Sequence, residues 1–246
     1  DATLRSTLER TRLRRELRAL RQRSPLTGMV VGPSPAMDEL MTLVRKIAPA
    51  DSATVLVLGE TGSGKGVLAR NIHEMSPRSE GPFVNVTCSA LTESLMESEL
   101  FGHEKGAFTD ARTMKRGLVE VADRGSLFLD EIAELSVGVQ GKLLRFIEEK
   151  RFRRVGGTRD MEVDTRIIAA TNRDLEEEVR RDHFREDLYY RLSVVPIELP
   201  PLRHRPSDIP VLVSHFVETF NREFGKQSTE VSPEALEILG RHRWPG

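Results

Sequence analysis

The sequence predicts an α/β fold, a parallel five-stranded sheet flanked by helices, followed by a small helical subdomain and preceded by a separate helix. Three observations carry this. Five short apolar runs alternate with stretches of helical character across residues 55–199, the pattern of a parallel sheet covered on both faces. The first run enters a glycine-rich loop that leads directly into a helix. The third ends in two adjacent carboxylates, Asp130 and Glu131.

Residues 1–24 place Leu4, Leu8, Leu13, Leu17 and Leu20 at roughly helical spacing, with arginines between them, and read as one amphipathic linker helix. Its basic stripe is also compatible with nucleic acid, but pairing through the leucines is the simpler reading. Ser24, Pro25 and Gly28 break that helix, and residues 25–200 are expected to form the main α/β subdomain. Its strands are expected at 55–58, 83–86, 127–129, 167–170 and 194–199. Pro200 and Pro201 end the last of them, and residues 201–246 begin a helical lid, with helices at 209–224 and 233–239. There is no internal repeat.

The composition is that of a globular chain. Of the 246 residues, 38% are hydrophobic and 30% charged, and the formal net charge is −1, so the chain as a whole does not carry a nucleic-acid binder's charge. No apolar run is long enough to span a bilayer, and the charged start has no signal-peptide core behind it, so a cytoplasmic location is expected. The single cysteine, Cys88, excludes an internal disulfide and reads as a packed side chain. The six histidines show no zinc spacing. Asp1 at the start and Trp244-Pro245-Gly246 at the end are expected to bound a piece of a longer protein.

The loop Gly59-Glu60-Thr61-Gly62-Ser63-Gly64-Lys65-Gly66 follows the strand 55–58 and precedes a helix expected at 67–75. That context is what a phosphate-binding loop requires. Its glycines let successive backbone amides face phosphates, the helix start adds partial positive charge, and Lys65 adds a full one. Gly66 lacks the hydroxyl that often holds magnesium there, so the metal must lean on water, phosphate oxygens and Asp130. At the end of its strand Asp130 can face the metal while Glu131 polarises an attacking water. Asn172 closes the fourth apolar strand, where it either orients water beside the terminal phosphate or is an ordinary turn residue. Arg185 and Arg191 lie on an expected helix. They either reach a neighbouring subunit's nucleotide or belong to a salt-bridged surface in which Asp187 and Arg191 form an i, i+4 pair.

Five segments together resemble the central domain of the sigma-54-dependent transcriptional activators of the AAA+ superfamily. They are 59–65; Glu97 through Thr109, with its Gly106-Ala107-Phe108-Thr109; Leu127 through Ile132; Arg154-Val155-Gly156-Gly157; and Ala170 through Leu175. The second is the most specific, and the resemblance covers roughly residues 26–246. It implies a cytoplasmic ATPase that uses ATP and Mg2+ in a ring, usually a hexamer, and remodels RNA polymerase carrying sigma-54. By matching position, Lys65 binds phosphate, Asp130 and Glu131 are the metal-binding and water-activating acids, Asn172 is a sensor, and Arg185 and Arg191 act in trans. Val31 and Gly32 line the adenine, residues 151–164 form a hairpin that moves beside the contact loop, and Gly106 to Ala111 are that loop. Three departures stand out. Asp110 replaces a glycine in the contact loop, Gly66 replaces a glutamate, and Thr87 replaces an asparagine that restrains the catalytic glutamate, a task its hydroxyl can share. The family continues beyond Trp244-Pro245-Gly246 into a second sensing arginine and usually a helix-turn-helix, through which DNA would be bound.

Asp110 opens an alternative, an ATP-gated regulatory or assembly module that no longer engages sigma-54. A phosphate-loop kinase is a third reading, but no acceptor site is apparent and the 106–109 segment has no role in one.

Overall fold

The computed structural model describes residues 29–89, 91–228 and 230–245, so the helix expected over 1–24 lies outside the described residues. The five expected strands are present as β1 (Val55–Leu58), β2 (Phe83–Thr87), β5 (Ser126–Asp130), β8 (Arg166–Thr171) and β9 (Val195–Glu198), all parallel, in the spatial order β2-β5-β8-β1-β9. Two small antiparallel pairs lie apart from this sheet: β3 (Gly102–His103) with β4 (Lys115–Arg116), and β6 (Arg151–Phe152) with β7 (Met161–Glu162).

Side chains alternate between the faces of a strand, which divides the core in two. Leu56, Leu127, Leu129, Ile167 and Ala169 pack with α3 (Glu93–Phe101), α5 (Val137–Glu149) and α7 (Glu186–Leu192). On the other face Val57, Phe128, Ile168 and Ala170 pack with α1 (Pro35–Ile47) and α2 (Lys65–Glu74). Burial on both sides is why the strands read as continuous apolar runs. Truncating a residue such as Ile168, fully buried here, to alanine would cost about 2–5 kcal/mol.

Local signals explain the helix ends. Ser34 caps α1 by accepting from the Met37 amide, Pro35 occupies the first turn, and Met37, Leu40, Met41 and Val44 form the buried stripe. At its other end the buried Arg166 donates to the Ile47 and Ala48 carbonyls, placing a cation where the helix dipole favours one. Helix α4 (Leu118–Val121) and helix α6 (Leu175–Arg180) are short connectors. After β9 come two single 3₁₀ turns, then α8 (Ile209–Phe224) and α9 (Pro233–Arg241). Gly225, left-handed at φ 62°, ends α8. Among the described residues no helix is long and apolar enough to cross a membrane.

Candidate nucleotide site

Because the strands are parallel, the carboxyl ends of β1, β5 and β8 lie along one edge of the sheet, where ligands of open α/β folds bind. The loop Gly59–Gly66 leaves β1 there, with Gly62 and Gly64 left-handed at φ 76° and 105°, angles that a side chain would resist. Lys65 begins α2, and its Nζ donates to the carbonyls of Gly59 and Glu60 at 2.9 and 3.0 Å. The Ser63 hydroxyl donates to the Glu60 carbonyl at 2.7 Å.

Asp130 ends β5 half-buried. Burial lifts its carboxyl above the usual aspartate range, the Lys65 ammonium and the Glu131 amide oppose that, and the Glu131 charge adds to it. Lys65 is pulled below the usual lysine range, again chiefly by burial, with Asp130 and Glu131 opposing. One cation thus faces two anions in a partly dehydrated site. Glu131 sits left-handed at φ 57°, ψ 46°, and its amide donates to Asp130 Oδ1 at 3.1 Å. A strained non-glycine residue at a strand end marks a position that the surrounding fold holds against its preference.

Asn172 follows β8 and donates from Nδ2 to the Thr61 hydroxyl at 3.0 Å, so the fourth strand's end and the loop are brought together. Thr87 is the cross-strand neighbour of Asp130. No hydrogen bond joins it to Glu131, so the restraint expected of its hydroxyl is not made; the threonine side chain stays exposed on β2. Cys88 is buried next to it, its thiol pushed up to about 12 by burial, with Asp130 and Glu131 adding; it is a packed side chain.

Arg185 precedes α7 and pairs through both guanidinium arms with Asp187, at 3.0 and 2.7 Å. The Asp187–Arg191 pair of the alternative, salt-bridged reading is not formed: the carboxylate is taken by the arginine two residues before it. Arg191 is exposed and makes no ion pair among the described residues. Neither arginine bonds to the Gly59–Gly66 loop of its own chain.

Val31 is exposed and Gly32 buried. A Cβ on Gly32 would lie 2.1 Å from Asp208 Oδ1. Asp208 in turn accepts from the Ser34 amide and hydroxyl at 2.8 and 2.9 Å. Arg203 forks onto the Glu60 carboxylate. Arg205, largely buried, donates to the Ser63 carbonyl at 2.9 Å. These three residues grip the loop and the 31–34 stretch, and sequence reasoning missed them. Their signal was the charged run Arg203-His204-Arg205 and Asp208 directly after the last strand.

The 106–111 loop projects elsewhere. Gly106 donates to the Ala111 carbonyl at 2.8 Å, closing it. Phe108 is 40% exposed and lies edge-on to His103 at 4.9 Å. Ala107 abuts Gly156, Val155 bridges to His103, and Arg154 bonds Glu104 and Glu120. The structure therefore places the 151–162 hairpin against the loop's base. Thr109 and Asp110 are exposed at the tip. Asp110 is not among the residues with positive φ, so a glycine is not demanded there by backbone angle.

The geometry is that of an AAA+ nucleotide-binding fold, and comparison with known proteins agrees. The family model "Sigma-54 interaction domain" matches residues 30–198, and "AAA+ ATPase lid domain" matches 203–246. The chain belongs to the sigma-54 interaction domain family. It is 51% identical over 238 residues to the Nif-specific regulatory protein of Azotobacter vinelandii, covering 97% of this chain and 45% of that protein. It is 48% identical over 237 residues to the regulatory protein AtoC of Escherichia coli (strain K12), covering 95% and 51%. A crystal structure of NtrX from Brucella abortus in complex with ATP superposes with a TM-score of 0.85 at 38% identity, covering 99% of this chain and 52% of that one. The chain thus spans about half the length of the curated relatives it matches.

Proposed function

We propose that this domain binds ATP with Mg2+, hydrolyses it at the edge formed by β1, β5 and β8, and, in a ring of like subunits, presses the 106–111 loop on RNA polymerase carrying sigma-54. The observation that carries the reading is the convergence of Lys65, Asp130, Glu131 and Asn172 on one loop. Relatives at about half identity named as regulatory proteins, and a neighbour solved with ATP, support it.

Magnesium fits the donor set. Asp130 is a hard oxygen ligand whose charge Lys65 helps to maintain; it would hold the ion, whose remaining shell would come from water and phosphate oxygens. Mg2+ bound there would supply charge neutralisation to the phosphates. On nucleotide entry, Lys65 exchanges its two carbonyl partners for phosphate oxygens, and the loop amides turned by Gly62 and Gly64 bind the same group. Glu131 then accepts a proton from the attacking water, while Asn172 Nδ2, held beside Thr61, donates to that water or to the terminal phosphate. Arg185 and Arg191, having no role in their own chain's site, serve the adjacent one. Val31 and Gly32 border the adenine, and residues 25–200 act as the nucleotide-binding unit with 201–246 as its lid.

The test pairs phosphate release with retention of purified sigma-54 in the presence of a transition-state analogue of ATP. Both are expected. Hydrolysis without retention would favour the ATP-gated assembly module, and no hydrolysis by a chain that binds ATP would exclude the catalytic reading.

A further inference from the structure

Gln140 on α5 is fully buried, and its side-chain amide uses both ends. Nε2 donates to the Leu135 carbonyl at 2.7 Å and to the His183 carbonyl at 3.0 Å. Oε1 accepts from the Arg185 amide at 2.8 Å. Leu135 is the residue that closes the 3₁₀ turn begun by Glu131, and Arg185 opens α7. The segment before Arg185, 181–183, is exposed and contains Asp182 in a left-handed conformation at φ 59°; its amides are held by the Glu177, Val179 and Glu178 carbonyls of α6, and Gln140 links it to α5. After it, Phe184, Leu188 and Leu192 are anchored in the core. A buried amide with every bond satisfied is a stiff connection, since losing one partner leaves a polar group stranded.

We infer that Gln140 is a positioning residue for Arg185, clamping the backbone at 183–185 so that the guanidinium is presented to the neighbouring subunit's nucleotide, and tying that segment to the turn after the same chain's Glu131. The inference rests on the proposed trans role of Arg185. It adds a residue that touches no nucleotide yet sets where the arginine stands. Catalysis by a presented charge falls steeply with misplacement, about 10²-fold for an ångström.

The experiment is complementation with the full chain. Gln140→Met keeps the volume and removes all three bonds. It is expected to lower turnover about 10-fold to 10²-fold while ATP affinity stays near that of the parent; the stranded partners lower the melting temperature, so turnover is compared at a temperature where both chains are folded. Mixed with Lys65→Ala, it should regain activity, because some interfaces join its intact loop to an intact Arg185. Mixed with Arg185→Ala it should regain none, and the double variant Gln140→Met/Arg185→Ala should be no slower than Arg185→Ala alone. Should the apolar side chain prevent folding, Gln140→Glu, which keeps the acceptor but loses both donors, is scored in the same way. Rescue by Arg185→Ala but not by Lys65→Ala would place the defect in the subunit's own site and overturn the inference, as would unchanged turnover. Full activity of Arg185→Ala alone would instead sink the trans reading beneath it.

Discussion

Asn172 and Thr61 are 111 residues apart in sequence, and the amide of the first donates to the hydroxyl of the second at 3.0 Å. The end of β8 is thereby bonded to the tip of the loop that leaves β1, and the two strands are adjacent and parallel. Asn172 is exposed, so Asn172→Ala should leave the fold intact. Turnover should fall about 10²-fold, the cost of losing one oriented donor, with ATP affinity changed far less. Steady-state phosphate release and nucleotide titration measure the two; a parallel loss of affinity and rate would show that Asn172 only shapes the loop.

In the proposed mechanism Glu131 acts on water whereas Lys65 and the loop amides hold phosphate. Glu131→Gln should therefore bind ATP and hydrolyse it about 10²–10⁴-fold more slowly. Near-normal turnover in this variant would remove Glu131 from the water-activating role.

Arg185 and Arg191 have no bond to their own chain's loop, which predicts that specific activity rises with protein concentration. Arg185→Ala should lower turnover about 10³-fold and be partly restored by mixing with Lys65→Ala, since mixed assemblies contain some complete sites. Activity independent of concentration, with no rescue, would argue against sites shared between subunits.

Gly32 leaves no room for a side chain beside Asp208, whose carboxylate holds Ser34. Gly32→Ala should push that carboxylate off its two partners and destabilise the domain by about 1–3 kcal/mol, read as a shift of the urea midpoint. ATP should protect the variant less than the parent, because the same displacement disturbs the 31–34 stretch. An unchanged midpoint would show that Asp208 moves aside freely.

Asp110 does not have a positive φ, so its effect on sigma-54 binding is expected to come from its charge. Burying a carboxylate against a partner without a counter-charge is unfavourable by several kcal/mol, and a basic partner recovers much of that. Asp110→Asn should consequently tighten analogue-dependent retention of sigma-54 as much as Asp110→Gly does, with ATPase rates unchanged in both. Tighter binding by the glycine variant alone would return the explanation to the backbone, and equal, strong binding by all three chains would show that the loop accepts the charge.

The five strands, the phosphate loop, the paired acids and the helices after Pro201 were legible in the sequence because each depends on neighbours a few residues away. Apolar alternation sets a strand, glycine permits a left-handed turn, and proline ends a run, so β9 stops before Pro200 and Pro201 as expected. Lys65, Asp130 and Asn172 could be placed near one another because parallel strands share an edge for their carboxyl ends. What the tertiary structure alone decided concerns partners far apart in the chain. The order β2-β5-β8-β1-β9 follows from how the helices cover two faces. Arg203, Arg205 and Asp208 reach Glu60, Ser63 and Ser34 across more than 140 residues, and Gln140 meets His183 and Arg185 across more than 40. No local propensity encodes such pairs: they exist because the core brings those backbones together, and a buried polar group must then find whatever partner lies within reach.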